Sequence, residues 1–110
     1  MSKRSKACEF DKNTKQAIYE RDNGCIFCQM WYHMPSRPVY EQTIIDFAHI
    51  INRSQGGLGI EQNGVCACRY HHNLLDNGNK GFRPEMLSII KSYMQRHYPD
   101  WENVTLVYKK

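Results

Sequence analysis

Four side chains with the chemistry of metal ligands come in two pairs of matching spacing: Cys25-x-x-Cys28 and Cys68-x-x-His71. Thiolate and imidazole are the protein ligands zinc prefers, and a closed tetrahedral site needs four of them. Zinc held this way would clip an N-terminal helix to the region around residue 68 across a long loop, which is a useful brace in a small domain. Cys66 competes with Cys68 for the third position, because residues two apart on a strand point the same way. Cys68 is preferred, since it shares one helical turn with His71. Cys8 has no partner pattern and is expected to be inert. A redox role for Cys25 and Cys28 lacks the surrounding βαβ pattern that such thiols need.

Three further polar residues follow one another in a telling order: His49 at the end of an apolar strand, Asn63 after a Gly-rich loop, and His72 on a helix. Singly, each has an ordinary reading: His49 as a satisfied core histidine, for instance, and Asn63 as a turn residue. Asp76 lies four residues beyond His72 and so shares its helix face. It reads equally well as an exposed residue at a helix end. Asp46 precedes His49 by three residues, so regular alternation puts it on the opposite strand face, and it joins His49 only if the strand bends.

The elements that must position these groups are legible in outline. A capping-box pattern at Asn13-Thr14-Lys15-Gln16 predicts a helix over 14–22, stopped by Asn23-Gly24. Residues 31–42, with two prolines, read as a loop, and 43–50 as a β-rich strand running into the core. A Gly-rich loop over 52–59 and a turn at Asn63-Gly64 lead to a short strand over 65–67. A short helix over 68–76 should end at Asn77-Gly78. Pro84 and Glu85 open a longer helix. Along it Met86, Ile89, Ile90, Tyr93 and His97 recur at core-facing spacing, and Pro99 ends it. Residues 104–108 could add an edge strand.

The ordered set resembles the HNH endonuclease family, particularly the small versions carried by tailed bacteriophages. The likeness rests on Arg21-Asp22 before Cys25-x-x-Cys28, then Ala48-His49-Ile50, Asn52-Arg53-Ser54-Gln55-Gly56-Gly57, Asn63, and Cys68-x-x-His71-His72, spanning roughly residues 14–78. It implies a small α+β fold built on a ββα-metal (His-Me finger) motif, with a zinc-braced N-terminal helix and a C-terminal helix packed behind. It implies hydrolysis of DNA phosphodiesters. His49 would be the general base, suited by an imidazole pKa near working pH. His72 would hold one catalytic divalent ion, and Asn63 would pin the loop backbone that aims His49.

Within that resemblance, Asp76 stands where some members carry a second metal-binding His, and a carboxylate there favours Mg²⁺ or Mn²⁺, with other divalent transition metals admissible. Members often place a metal-binding Asp or His immediately before the base. Here that residue is Ala48, so the ion's shell is incomplete by sequence unless Asp46 or water completes it. Arg53 and Arg69 are the candidate phosphate contacts on double-stranded DNA, positioning the duplex without reading it. By the same likeness, such phage proteins are associated with DNA packaging beside the terminase large subunit.

Length and composition bound these readings. The 110 residues, 41% of them hydrophobic, suit one folded domain over 1–110 with its core at about 14–98. Residues 1–12, with Lys3, Arg4 and Lys6, are expected to be a frayed, solvated start. A net charge of +4 allows a polyanionic partner without demanding one. No apolar run approaches the roughly 20 residues of a membrane span, and no signal-peptide core follows Met1. A cytoplasmic setting is therefore expected, in which five cysteines argue for ligands over disulfides. Two rivals to the enzyme remain: a zinc-stabilised nucleic-acid-binding module without catalysis, which Ala48 favours, and a zinc adaptor for a protein partner.

Overall fold

A computed structural model describes residues 2–76 and 81–109. Its centre is a two-stranded antiparallel sheet of β1 (Ile45–His49) and β2 (Gly64–Cys68), paired from Ile45 opposite Cys68 to His49 opposite Gly64. Helix α4 (Arg69–Asp76) continues directly from β2. The Asn77-Gly78 stop expected after it lies outside the described residues.

Alternation along the strands separates two apolar layers. Ala48, Ile50, Val65 and Ala67 join Leu75 of α4 and Met86, Ile90 and Met94 of α5 (Arg83–His97) in the larger cluster. On the other face, Phe47 and Cys66 pack with Phe10 and with Ile18 of α2 (Lys12–Asp22). The small sheet is thus covered on both sides, which explains why β2 is buried along its whole length. Among the described residues, no helix is long and apolar enough to cross a membrane.

Several elements differ from the sequence expectation, each for a physical reason. Helix α2 starts at Lys12 rather than 14, because Asp11, not Asn13, caps it: its carboxylate accepts the Thr14 N–H at 2.7 Å. It stops as expected, with Asn23 in the left-handed conformation at φ 55°. Strand β1 is shorter than 43–50, since residues 40–43 form a 3₁₀ turn. On α5, Met94 takes the core position assigned to His97, which is exposed.

The tail does not join the sheet. Residues 101–103 form a 3₁₀ turn, and Val107 makes only an isolated bridge to Gly57 in the Gly-rich loop. Residues 1–12, expected frayed, carry a short helix α1 (Lys3–Ala7), and Cys8 and Phe10 behind it are buried. The Ala7 carbonyl accepts the Gly59 N–H at 2.9 Å, and a Cβ at Gly59 would stand 2.1 Å from the Glu9 carbonyl oxygen. Only glycine admits the N-terminal segment this closely. That contact between distant segments leaves no periodic trace in the sequence.

Candidate functional site

The first cluster is built on the turn preceding helix α3 (Ile26–Gln29) and on the β2–α4 junction. The Cys25 side chain caps α3 by accepting the Cys28 N–H, which draws the two sulfurs of the Cys-x-x-Cys turn together. The β2–α4 junction presents Cys68 and His71 opposite them. The Sγ and Nδ1 atoms of Cys25, Cys28, Cys68 and His71 all lie within 4.8 Å of one another. Cys28 Sγ is 3.7 Å from Cys68 Sγ, and His71 Nδ1 is 3.3–3.7 Å from the three sulfurs. Tetrahedral zinc with Zn–S near 2.3 Å and Zn–N near 2.0 Å requires ligand separations of about 3.5–3.8 Å, so the donor set fits a metal such as zinc.

The imidazole is set for that task. His71 is fully buried, and its Nε2–H donates to the Tyr32 carbonyl at 2.6 Å, leaving the Nδ1 lone pair aimed at the sulfurs. Phe27 stacks against the ring. Without a cation, burial pushes the Cys68 thiol up to about 12. A bound cation reverses that by favouring the thiolate. Cys66 packs instead with Phe10 and Ile18, its backbone N–H held by Asp22, so the third position belongs to Cys68.

The second group of residues lines an open cleft of about 570 Å³ that wraps the β1 edge. His49, Asp46, His72, Arg53 and Arg69 all face it, together with Lys15 and Phe10. His49 stacks on Phe10 with ring centroids 4.1 Å apart, and its Nε2–H donates to the Cys8 carbonyl at 2.7 Å. A carbonyl only accepts, so Nε2 carries the proton and Nδ1 is the basic nitrogen. Burial holds His49 below the usual histidine range, opposed by the Cys8 bond and aided by the charge of Arg53.

Asn63 is fully buried and uses its amide on the loop backbone. Oδ1 accepts the Ile51 N–H at 2.9 Å, while Nδ2 donates to the carbonyls of Leu58 at 2.8 Å and Ile51 at 3.2 Å. The chain leaving His49 is thereby tied to the residue immediately before β2.

His72 lies between two carboxylates: Nδ1 is 3.0 Å from Asp46 and Nε2 is 2.9 Å from Asp76. Asp46 reaches His72 from a regularly paired strand, contrary to the expectation that β1 must bend. It lies on the opposite face from His49, and the cleft curls around the edge to meet both. Burial raises the Asp46 carboxyl, and hydrogen bonds from Arg69 and His72 more than offset this, leaving it below the usual range. Because the two carboxylates sit at opposite ends of the imidazole, a single cation replaces one of these bonds rather than all.

Arg69 is not an unengaged phosphate ligand, since it forms a two-pronged pair with Asp46 at 3.1 and 3.3 Å. Arg53 is exposed, and its guanidinium donates to the Ser5 carbonyl at 3.4 Å. Ala48 is buried against the core and offers no ligand. Sequence reasoning missed Phe10 and the Cys8 and Tyr32 carbonyls, which set the state of His49 and His71. Backbone acceptors carry no side-chain signature that could have announced them. No protein family, curated protein or solved structure matches this chain.

Proposed function

We propose that this protein is a metal-dependent DNA endonuclease of the HNH type, with a structural zinc at Cys25, Cys28, Cys68 and His71. The observation that carries the reading is the shared cleft of His49 and His72, with Asn63 locking the loop between β1 and β2. A strand, a tied loop, a second strand and a helix in that order also match the ββα-metal arrangement that the sequence resemblance implies.

In this reading His49 Nδ1 takes a proton from the water that attacks phosphorus, while the Cys8 carbonyl retains the Nε2 proton and stabilises the imidazolium that forms. Phe10 keeps the ring from rotating. Asp46 orients His72 by accepting its Nδ1–H, leaving Nε2, beside Asp76, as the metal-binding atom. His72 Nε2 and Asp76 would hold a divalent ion, whose chemistry there would be Lewis acidity at a phosphoryl oxygen and charge neutralisation at the leaving 3′-oxygen. Arg53 holds a backbone phosphate of double-stranded DNA without selecting sequence. Action in phage DNA packaging beside a terminase large subunit belongs to the same reading.

A zinc-stabilised nucleic-acid binder without catalysis is the second reading. It is favoured by Ala48 and by the carboxylates that already occupy both His72 nitrogens. Supercoiled plasmid incubated with Mg²⁺ or Mn²⁺ and the zinc-loaded protein separates the two. Nicking by the parent and not by His49→Ala supports the enzyme. Shifted bands with no nicking in either support the binder.

A further inference from the structure

Beside the cleft lies a cavity of about 370 Å³ lined by Ser2, Arg4, Ser5, Cys8, Arg53 and Ser54. Two guanidinium groups share it. Their hydrogen bonds, Arg4 to the Ser54 carbonyl at 3.2 Å and Arg53 to the Ser5 carbonyl at 3.4 Å, go to neutral acceptors. Among the described residues neither has a carboxylate within ion-pair distance, whereas Arg21, Arg69 and Arg83 are each paired with an aspartate. Among the described residues, no acidic side chain lines the cavity. Two like charges facing one space repel unless an anion sits between them.

The hydroxyls complete the polar lining. Ser2 donates to the Ser5 oxygen at 3.0 Å, leaving the Ser5 proton for an outside acceptor. Planar guanidinium forks and a hydroxyl match the oxygens of a phosphate.

We infer that this cavity is a phosphate-binding subsite made by Arg4 and Arg53, which takes a backbone phosphodiester next to the one lying in the His49 cleft. That the phosphate belongs to a nucleic-acid strand rests on the endonuclease reading; the affinity for a phosphate group does not. Arg53 lines both spaces, so a strand can pass from one to the other along a continuous basic path. Cys8 lines the cavity too, and its carbonyl holds His49. A strand seated on Arg4 therefore clamps the segment that fixes the proton on the base.

The test is binding of the zinc-loaded full chain to a fluorescent duplex without Mg²⁺, across a salt series. Arg4→Gln should weaken binding about tenfold at low salt and make the slope of log K against log salt shallower by about 0.9, the share of one phosphate. Arg4→Lys should keep most of the slope, and Lys91→Gln, whose lysine on α5 pairs with Glu102, should keep it all. A parental slope in Arg4→Gln, an equal loss in Lys91→Gln, or a parent without duplex affinity overturns the inference.

Inorganic phosphate added to ¹⁵N-labelled protein should shift the Ser5 and Ser54 amides in the parent and not in Arg4→Gln, whose dispersed spectrum also reports its folding. Those shifts with an unaltered duplex slope would mean a free phosphate site and overturn the strand path. Plasmid nicking is scored separately. Loss of slope in Arg4→Gln with a parent that never nicks removes the endonuclease reading and supports the subsite.

Discussion

The Nε2–H of His49 donates a hydrogen bond to the backbone carbonyl of Cys8, 2.7 Å away and 41 residues earlier in the chain. A side chain on a central strand thus has its tautomer set by the segment behind the first helix, and Phe10 from that segment covers its ring. The proposed base depends on contacts that lie outside the strand-loop-strand-helix unit itself.

The pH dependence of nicking follows from those contacts. Burial places the His49 pKa below the ordinary 6.5, so the neutral, proton-accepting form persists below that pH. The acid limb of the rate profile should fall below pH 6.5 in the parent. Phe10→Leu lets water reach the ring and should move that limb upward. The linkage to stability has the same origin: the folded chain prefers neutral His49, so this contribution is complete above 6.5 and is lost as pH falls through the lower folded value. A parental limb at or above 6.5 contradicts the account.

Zinc content distinguishes the two neighbouring cysteines of β2. Cys68 lies among the four donors, and Cys66 lies in the apolar layer with Phe10 and Ile18. Elemental analysis should find one zinc per chain in the parent and in Cys66→Ala, and a stoichiometric loss in Cys68→Ala. Chelation should lower Tm by roughly 15 °C or more, because a structural metal's binding energy is folding energy. Retained zinc in Cys68→Ala would move the site elsewhere.

The four zinc-type donors were legible because short spacings in a turn and a helix bring ligands together whatever the rest of the fold does. Asp46 was harder to place. Alternation correctly put it across the strand from His49, but a two-stranded sheet is narrow enough for one cleft to reach both faces. The N-terminal segment was illegible because its anchors are a carbonyl, a ring and the close approach at Gly59. The 104–108 segment has strand-forming residues, yet its partner is the Gly56–Leu58 stretch of a loop: Leu58 donates to the Leu106 carbonyl and Tyr108 to that of Gly56. Propensity reports a willing strand and says nothing of which neighbour accepts it.

Asp22 is the polar joint between the two layers. Its carboxylate accepts from Arg21 at 2.6 and 3.0 Å, from the Tyr93 hydroxyl at 2.6 Å and from the Cys66 N–H at 2.8 Å, with no side-chain exposure. Asp22→Ala strands a buried guanidinium, a hydroxyl and a backbone donor together. Urea unfolding should show a loss of about 3–5 kcal/mol, the range for breaking a buried pair from one side. A change below about 1 kcal/mol would mean that water replaces the carboxylate, and the joint would have to be reassigned.

Ala48 provides a direct test of whether the cleft takes a catalytic cation. It lies on the same strand face as Asp46, which reaches His72, and it is buried. A carboxylate introduced there does not gain Arg69 as a partner, because Arg69 is already paired with Asp46. Ala48→Asp should therefore be destabilised in zinc-loaded, Mg²⁺-free buffer, by about 2–4 kcal/mol for an unpaired buried charge or its neutralised form. If the cation binds beside His72, the new carboxylate becomes a ligand. Added Mn²⁺ or Mg²⁺ should then restore much of the lost Tm, and midpoint stability should rise with ion concentration as binding to the folded state alone requires. The parent should show a smaller ion-dependent rise. Divalent ions that leave the Tm of Ala48→Asp unchanged would argue that no cation binds this face, and the second reading, a nucleic-acid binder without catalysis, would then be preferred.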